Sequence, residues 1–554
     1  MEKGKKTIDK SSIRFTIMAI VLIAIFCFSI APVTLQNDTF YTIKIGEHIL
    51  QNGIDMKDPF SWHENLEYTY PHWLYDVGIY LIYNIGGQLG IYISTIVLSI
   101  ILGITMYLVN TKLTKNKLTS FVLTIGAMYL LRDFIAARAQ LVTFILFILT
   151  VYFIEMFLET KKKRYAVGLI IIPIIIANVH LAVFPFYFVL YLPYVAEYMI
   201  YILSNSQIII NTAKITRLQK KILKLEDEQE ISKTKQKIDE LQLKNEKAIS
   251  KKEKINKNPY KIKISDNQNV KALIIIMIIC LFTGLLTPLG TTPYTYLIKT
   301  MQGTTTHNIN EHLPLTLVNN MEFMCALVLF IAILTFTDTK IRLSDLFMLG
   351  GLVFLTFYTR RQFSMFTLIC VIILNRLINS LFDKYDPEGC KKAINKLTTI
   401  TGMVVVICIV LAISIVQYKP KMKNSFIDEN SYPVDAATYI LENLDINNIK
   451  LYNEYNFGSY LLFRGIPVFI DSRADLYAPE FNPGVEIFND YMDLSGLNID
   501  DVEERLDKYG ITHMLMFKTS KLRRYVEQNK EEYILLYEDS NFCLFQRNKI
   551  KESV

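Results

Sequence analysis

The chain has 554 residues, of which 51% are hydrophobic, and a formal net charge of +7. Few soluble proteins of this length are so apolar, so the composition excludes an ordinary soluble enzyme. No motif typical of nucleic-acid binding is present, and we expect no nucleic-acid partner. The seven cysteines show neither metal-ligand spacing nor the pattern of a disulfide framework.

Long apolar runs recur along the chain as far as residue 417. A run of about 20 apolar residues crosses the hydrocarbon core of a bilayer, where a helix satisfies its own backbone hydrogen bonds. We therefore predict an α-helical polytopic membrane protein with about eleven transmembrane helices. The predicted spans are 14–35, 88–110, 118–131, 140–158, 165–179, 182–203, 270–289, 320–337, 345–358, 363–382 and 396–417.

The distribution of basic residues predicts the orientation, because loops rich in Lys and Arg stay in the cytoplasm. If the N-terminus is cytoplasmic, the basic loops all fall on the cytoplasmic side of the predicted spans. The odd number of spans then places the C-terminus outside. We expect a multi-pass protein of the cell membrane, with a transmembrane domain at 1–417 and a small extracytoplasmic α/β domain at 418–554. The first outer loop is 36–87, and 204–269 form a cytoplasmic helical insertion.

Residues 213–258 of this insertion are rich in Lys and Glu. Two sets of heptad-spaced apolar residues begin at Leu218 and Ile231, and they are out of phase with each other. This pattern favours a helical hairpin that turns near 226–231. The hairpin is either simply solvated or a binding site for a cytoplasmic partner.

Short elements are predicted in the outer segments. In the first loop, 39–51 form an amphipathic helix, Asp58-Pro59-Phe60-Ser61 form a turn, and 73–85 form an interfacial helix. In the C-terminal domain, strands alternate with helices, as is typical of an α/β layer structure. The predicted strands are 450–453, 467–471, 512–517, 533–538 and 541–547, and the predicted helices are 500–509 and 520–530.

Two outer loops carry arginine, although Arg on the translocated side of a membrane is costly. One holds Arg132 and Arg138, and the other holds Arg360 and Arg361. These side chains either reach lipid headgroups and pair with an acid such as Asp133, or form a cationic pocket for a lipid-linked phosphate. Few charged residues lie within the spans, which disfavours an ion-coupled transporter.

Motifs of the first outer loop resemble those of a large group of bacterial polytopic proteins in the GT-C glycosyltransferase superfamily. In that group, the first outer loop contains an Asp-x-Asp pair, then Asp-Pro-Phe-Ser, then His-Glu-Trp-Leu. Further motifs fit in order along nearly the whole chain apart from 204–269. The matching segments are 38–46, Asn52-Gly53, Asp58-Pro59-Phe60-Ser61, Trp73-Leu74, Asn178-Val179-His180, Thr287-Pro288-Leu289-Gly290, Glu311, Arg360-Arg361, Gly458-Ser459-Tyr460-Leu461 and 469–477.

Three positions depart from the pattern of the group. Gln36 replaces the first Asp of the pair, Pro71-His72 replaces His-Glu, and Leu181 replaces a Gly. These departures argue against a mechanism that requires two acids in the first loop.

The resemblance implies transfer of a sugar, a hexose or a pentose, from a polyprenyl-phosphate carrier to a glycan or protein acceptor of the cell envelope, as in mannosyltransferases and arabinosyltransferases. Such a reaction needs a carboxylate base, cations for the leaving phosphate and an apolar groove for the lipid. Asp38 is the expected base; alternatively, it caps the helix that starts near Thr39. The residues expected to bind substrate or lipid phosphate are Arg132, Arg138, Arg360, Arg361, His72, His180 and Glu311.

Other interpretations stay open. Asp471, Arg473 and Asp475 form an internal ion pair of the outer domain or recognise the acceptor. No metal site is expected, although Asp38 with loop carboxylates or histidines could hold a divalent ion. The protein could instead be a ligase that moves whole glycans from a pyrophosphate carrier. It could also be a non-catalytic lipid- or glycan-binding envelope protein, or a transporter, on the same scaffold.

Overall fold

The computed structural model describes residues 10–223, 225, 227–256, 261–303, 305, 309–498 and 502–548. Its N-terminal part is a bundle of helices, and its C-terminal part is a small sheet covered by helices. The bundle comprises α1 (Lys10–Ile30), α2 (Asn37–Asn52), α3 (Trp73–Thr114), α4 (Lys117–Leu130), α5 (Ala139–Thr160), α6 (Lys163–Val179), α7 (Phe184–Val189), α8 (Leu192–Ile222), α9 (Glu228–Asn256), α10 (Val270–Leu281), α11 (Thr292–Gln302), α12 (Met321–Phe336), α13 (Leu343–Tyr358), α14 (Phe363–Tyr385), α15 (Gly389–Leu397) and α16 (Ile400–Tyr418).

Within the described residues, six helical segments are long and apolar enough to cross a membrane. They are Lys10–Ile30, Trp73–Thr114, Ala139–Thr160, Leu181–Ile222, Arg360–Tyr385 and Ile400–Lys423. Four shorter apolar helices accompany them, at Lys117–Leu130, Val270–Leu285, Met321–Phe336 and Leu343–Tyr358. The chain therefore has the architecture of a polytopic membrane protein, while the number of eleven spans and the orientation stay predictions.

Helix α3 combines the predicted interfacial helix and the second predicted span. Its 42 residues are interrupted at Gly87, whose φ of 57° is a left-handed conformation that glycine adopts readily. The segment before this kink packs closely on α2. A Cβ atom at Gly46 of α2 would lie 2.1 Å from the backbone oxygen of Asp76, so only glycine permits this approach.

The insertion is a helical hairpin, in which α8 ends at Ile222 and α9 begins at Glu228. Of the turn predicted near 226–231, residues 228–231 are helical, and 226 lies outside the described residues. The Asn211 side-chain amide donates to the side-chain oxygen of Asn245 at 3.0 Å and helps to align the two helices. A two-stranded parallel pair, β1 (Ile262–Lys263) with β2 (Ile341–Arg342), follows in the chain.

Four charged side chains meet inside the helical bundle, which the sequence analysis did not anticipate. Arg342 contacts Glu155 and Asp345, each at 2.7 Å, and Arg376 contacts the same two acids at 3.0 and 2.7 Å. The two positive and two negative charges balance one another. Paired in this way, they join α5, α13 and α14.

The C-terminal part contains a four-stranded sheet. Strand β3 pairs in parallel with β4, and β4, β6 and β5 pair antiparallel in that spatial order. Its strands and covering helices are α17 (Val434–Asn443), β3 (Leu451–Asn453), α18 (Tyr455–Phe463), α19 (Ile487–Gly496), α20 (Val502–Tyr509), β4 (His513–Phe517), α21 (Lys521–Gln528), β5 (Tyr533–Glu538) and β6 (Phe542–Arg547). Residues 500 and 501 of the predicted helix at 500–509 lie outside the described residues.

The prediction of a strand at 467–471 is wrong. This segment is buried but forms only an isolated bridge between Val468 and Ser61 of the first loop. Its backbone groups bond instead to the side chain of Asn453, which accepts from the Phe469 N–H at 2.8 Å and donates to the Ile470 carbonyl at 2.7 Å. A side chain thus replaces a neighbouring strand as hydrogen-bond partner, which periodicity cannot reveal.

The first loop docks onto the C-terminal unit through a buried ion triad. Arg473 contacts Asp58 at 2.7 Å and Asp471 at 2.6 Å, and all three side chains are at most 2% exposed. Asp58 also accepts the backbone N–H of Ser61 at 3.0 Å, as the predicted turn requires. Burial disfavours the ionised Asp58, but the adjacent Arg473 outweighs it and holds the pKa of Asp58 below its ordinary value.

Candidate functional site

A cavity of about 1120 Å³ lies between the helical bundle and the C-terminal unit. In the helical bundle, its walls come from the start of α2, the loop before α3, the turn before α5, α11 and the end of α13. In the C-terminal unit, they come from the start of α18, the segment 472–476 and α19. Six of the eight residues proposed from the sequence line this cavity: Asp38, His72, Arg138, His180, Glu311 and Arg361.

Arg138 connects the two acids of this set. It immediately precedes α5, and its guanidinium lies 2.8 Å from Asp38 and 3.2 Å from Glu311. The Asp38 and Arg138 side chains are 25% and 26% exposed, so both are accessible from the cavity. The alternative role of Asp38 as a helix cap is wrong, because the N-cap of α2 is Gln36 and Asp38 lies in the first turn.

Burial disfavours the charged form of Glu311, but Arg138 and Arg361 more than compensate. Together they hold the pKa of this carboxyl below its ordinary value. For Arg138, burial acts against the charge, but Asp38 and Glu311 raise its pKa above the ordinary value. The acids and the guanidinium therefore stabilise one another's charges.

Arg361 is the second cation of the cavity. It lies in the 3₁₀ turn Arg360–Gln362 between α13 and α14 and is partly exposed. No carboxylate of the described residues comes within the 4.0 Å of an ion pair with its guanidinium. The positive charge of Arg361 is thus available to a ligand, whereas that of Arg138 is shared between two acids.

The other two arginines, both in the described part of the chain, do not line the cavity. Arg132 lies 3.3 Å from Glu322 and 3.7 Å from Asp133, and it stacks on the Tyr129 ring. This arrangement matches the alternative in which an outer arginine pairs with neighbouring acids. Arg360 is exposed, and its backbone N–H donates to a loop carbonyl. The structure therefore does not bring all four arginines to one pocket.

The two histidines lie side by side at the cavity wall. Their ring centroids are 5.0 Å apart, and His180 is 3.3 Å from the hydroxyl of Thr143. Burial lowers the pKa of His72 to about 3, and Arg361 and Arg138 add to this effect. Burial, the neighbouring ring and the same arginines also lower the pKa of His180. Both rings are neutral at physiological pH, so they act as hydrogen-bonding groups.

Three of the segments that carry the resemblance, or lie next to one that does, are joined by hydrogen bonds in this region. The Trp73 indole N–H donates to the Asn178 side chain at 3.1 Å, and the Asn178 amide donates to the Leu286 carbonyl at 2.9 Å. The Leu181 N–H donates to the Pro71 carbonyl at 3.0 Å. Three segments distant in sequence are thus fixed together behind the histidines.

Asp475 is separate from the ion triad formed by Asp471 and Arg473. It accepts the Tyr296 hydroxyl at 2.8 Å and the Thr300 hydroxyl at 3.3 Å, and so links the C-terminal unit to α11. Burial raises its pKa against the opposing effect of these two bonds. The expected internal ion pair therefore holds for Asp471 and Arg473 but not for Asp475.

Sequence reasoning missed the aromatic part of the cavity wall. Tyr455, Phe488 and Tyr491 of the C-terminal unit line the cavity opposite the charged residues of the bundle. No motif marked them, because they become neighbours only when α18 and α19 pack together. Among the described residues, no cluster of three or more His, Cys, Asp or Glu side chains could hold a metal ion.

The comparisons with known proteins point to one fold. No sequence-family profile matches the chain, and no curated protein matches it. The structure is similar to that of the Archaeoglobus fulgidus oligosaccharyltransferase in its apo form, with a TM-score of 0.53 and 11% identity over 90% of this chain and 69% of that one. The chain has a GT-C-like fold. At this identity the similarity concerns the fold alone, so the bacterial group and the mannosyl or arabinosyl chemistry stay predictions.

Proposed function

We propose that the protein is a membrane glycosyltransferase that moves a sugar from a polyprenyl-phosphate carrier to an envelope acceptor on the outer face. The observation that supports this most directly is the meeting of one accessible acid, two cations and an apolar wall in a single cavity. The GT-C-like fold adds support, because the similar structure is that of an oligosaccharyltransferase.

Asp38 is the proposed general base. In the reaction, an acceptor hydroxyl gives its proton to the Asp38 carboxylate as its oxygen forms a bond to the anomeric carbon of the donor sugar. The bond from that carbon to the phosphate oxygen breaks, and the lipid phosphate leaves with the electron pair. Arg138, 2.8 Å from Asp38, holds the carboxylate at the cavity wall.

Arg361 is the proposed principal contact of the leaving phosphate. Negative charge develops on the phosphate as the bond breaks, and a cation can stabilise it. Arg361 is suited to this role because it makes no ion pair within 4.0 Å in the described part of the chain. The neutral His72 and His180 can donate hydrogen bonds to the same group. The apolar residues Leu297, Met301 and Phe354 also line the cavity, and they offer a path for the prenyl chain.

Two variants test these roles, each with a matched control. Arg361→Gln should weaken binding of a short polyprenyl phosphate by about 10- to 100-fold, as expected for loss of a charge-assisted hydrogen bond. Arg360→Gln removes the same charge from the adjacent exposed residue and should leave binding unchanged. Titrations of the full chain in lipid nanodiscs measure both affinities.

Asp38→Asn should lower the rate of sugar transfer by about 10²- to 10⁴-fold, the usual contribution of a general base. Donor binding should be retained, and Asp133→Asn, at an exposed outer acid, should transfer normally. Wild-type transfer by Asp38→Asn would exclude Asp38 as the base. Tight donor binding without transfer to any acceptor would favour a non-catalytic lipid-binding protein, and transfer only from a pyrophosphate-linked glycan would identify a ligase.

A further inference from the structure

The two walls of the cavity differ in chemistry. The wall from the helical bundle carries the free or shared charges of Asp38, Arg138, Glu311 and Arg361. Apart from Arg473 and Asp475, the wall from the C-terminal unit consists of uncharged side chains, chiefly aromatic, amide, hydroxyl and thioether groups. It includes Tyr455, Asn456, Phe488, Tyr491, Met492 and Ser495.

The charged residues of the second wall are already engaged within the protein. Arg473 is held between Asp58 and Asp471, and Asp475 accepts the hydroxyls of α11. Within the described residues, this wall therefore offers a ligand no unpaired charge. It suits a neutral molecule that has both apolar faces and hydroxyl groups.

The neutral wall begins directly beside the proposed base. The side-chain amide of Asn37 donates to the backbone carbonyl of Tyr455 at 3.0 Å, so the first turn of α2 touches the start of α18. Asp38 is the next residue of α2. A molecule that lies against Tyr455 therefore reaches Asp38.

Asn37 provides a second, independent observation. Its amide nitrogen is bound to a carbonyl, which fixes the side-chain orientation and leaves Oδ1 as an acceptor. This oxygen is buried and has no hydrogen-bond partner among the described residues. A buried acceptor requires a donor, and an ionised phosphate or carboxylate has no proton to give, whereas a sugar hydroxyl does.

From this arrangement we infer that the neutral wall binds the acceptor, and that the acceptor is an uncharged glycan. One sugar ring lies against Tyr455, with one hydroxyl donating to Asn37 Oδ1 and another facing Asp38. The weakly positive C–H groups of a sugar ring pack well on the negative face of an aromatic ring. This inference rests on the proposed function, in which Asp38 takes a proton from an acceptor hydroxyl.

The test measures binding of soluble sugars to the full chain in nanodiscs. The neutral probes are linear trisaccharides of glucose, mannose and galactose, and the anionic probe is an oligogalacturonate of the same length. We expect at least one neutral probe to bind and the anionic probe to bind more weakly. Asn37→Ala and Asn456→Ala should each weaken neutral binding about three- to tenfold, as for loss of one neutral hydrogen bond.

Two controls make the result interpretable. Asn447→Ala changes an exposed asparagine outside the cavity and should have no effect. Because Asn456 is exposed, its replacement leaves the fold intact even if Asn37→Ala loosens the junction with Tyr455. Preferred binding of the anionic probe, or neutral binding that neither variant weakens, would overturn the inference.

The donor site is assayed separately, so the two proposals can fail independently. Arg361→Gln should weaken binding of the polyprenyl phosphate about 10- to 100-fold and leave neutral-sugar binding unchanged. If donor binding and transfer occur but neutral sugars do not bind through Asn37 and Asn456, the acceptor assignment is wrong. If neutral sugars bind this way but no transfer is found, the glycosyltransferase proposal is wrong.

Discussion

Replacing Arg473 by methionine tests the role of the buried ion triad in fixing the first loop to the C-terminal unit. The substitution keeps most of the side-chain volume and removes the only cation that contacts both Asp58 and Asp471 within the described residues. Both acids are fully buried, so neither can turn to water. Two uncompensated carboxylates then remain between the loop and the sheet.

The expected loss in the free energy of unfolding at pH 7 is about 3–5 kcal/mol, the range found when one partner of a buried ion pair is removed. The loss should depend on pH. In the wild type, the pKa of Asp58 is lower in the folded than in the unfolded state, where it is about 3.9. The ionised Asp58 therefore stabilises the fold at pH values above about 3.9. In the variant, burial without a cation disfavours the ionised form of Asp58 and raises its pKa above that value, so stability decreases as pH rises. The difference between the two proteins should therefore grow from pH 4 to pH 7.

Denaturant titrations of the full chain in detergent micelles measure this difference by tryptophan fluorescence. The protein has only two tryptophans, and Trp62 lies at the junction itself, where its indole N–H donates to the Leu451 carbonyl at 3.0 Å. The matched control is Arg464→Met, because Arg464 bonds only to hydroxyl and carbonyl groups in the described part of the chain.

The acceptors of Arg464 are uncharged, so Arg464→Met leaves no buried carboxylate without a cation, and its loss of stability should not change over the same pH range. A loss below about 1 kcal/mol for Arg473→Met, or one that does not change with pH, would refute the argument from buried charge.

Further expected outcomes concern single residues. Burial raises the pKa of Glu454 from 4.5 to about 7, so the free energy of unfolding should fall by about 3 kcal/mol as pH rises through this range. Thermal unfolding of Glu454→Gln should show no such decrease with pH. Arg132→Gln should leave polyprenyl-phosphate affinity unchanged in titrations, because the side chain pairs with acids outside the cavity. A loss of affinity would show that Arg132 contributes to phosphate binding. Gly46→Ala should lower stability by at least about 1–3 kcal/mol, since the added Cβ meets the Asp76 backbone, whereas Gly126→Ala, with open space around it, should not.

The amino-acid sequence by itself determined the class of the protein and most of its short elements. Apolar runs of membrane-spanning length require helices, and this physical requirement is local to each run. The strands from β3 to β6 also fall within a residue or two of their predictions, except for the segment at 467–471. That segment was misassigned because the side chain of Asn453, which satisfies its backbone groups, is nearby only in the folded chain.

The composition of the site was decided by tertiary structure. The resemblance to the GT-C group marked Asp38 and Glu311, and arginine in loops predicted to be translocated marked Arg138 and Arg361. The sequence could not separate Arg361 from the adjacent Arg360, since the turn between α13 and α14 alone determines which side chain faces the cavity.

Contacts across long sequence distances carry no local signal. Asp58 and Arg473 are 415 residues apart, and Asn37 and Tyr455 are 418 apart, yet each pair is in hydrogen-bond contact. The sequence fixes which groups can ionise, donate or accept. Only packing decides which of them are desolvated together, and desolvation is what turns a charge or an amide oxygen into a strong binding group.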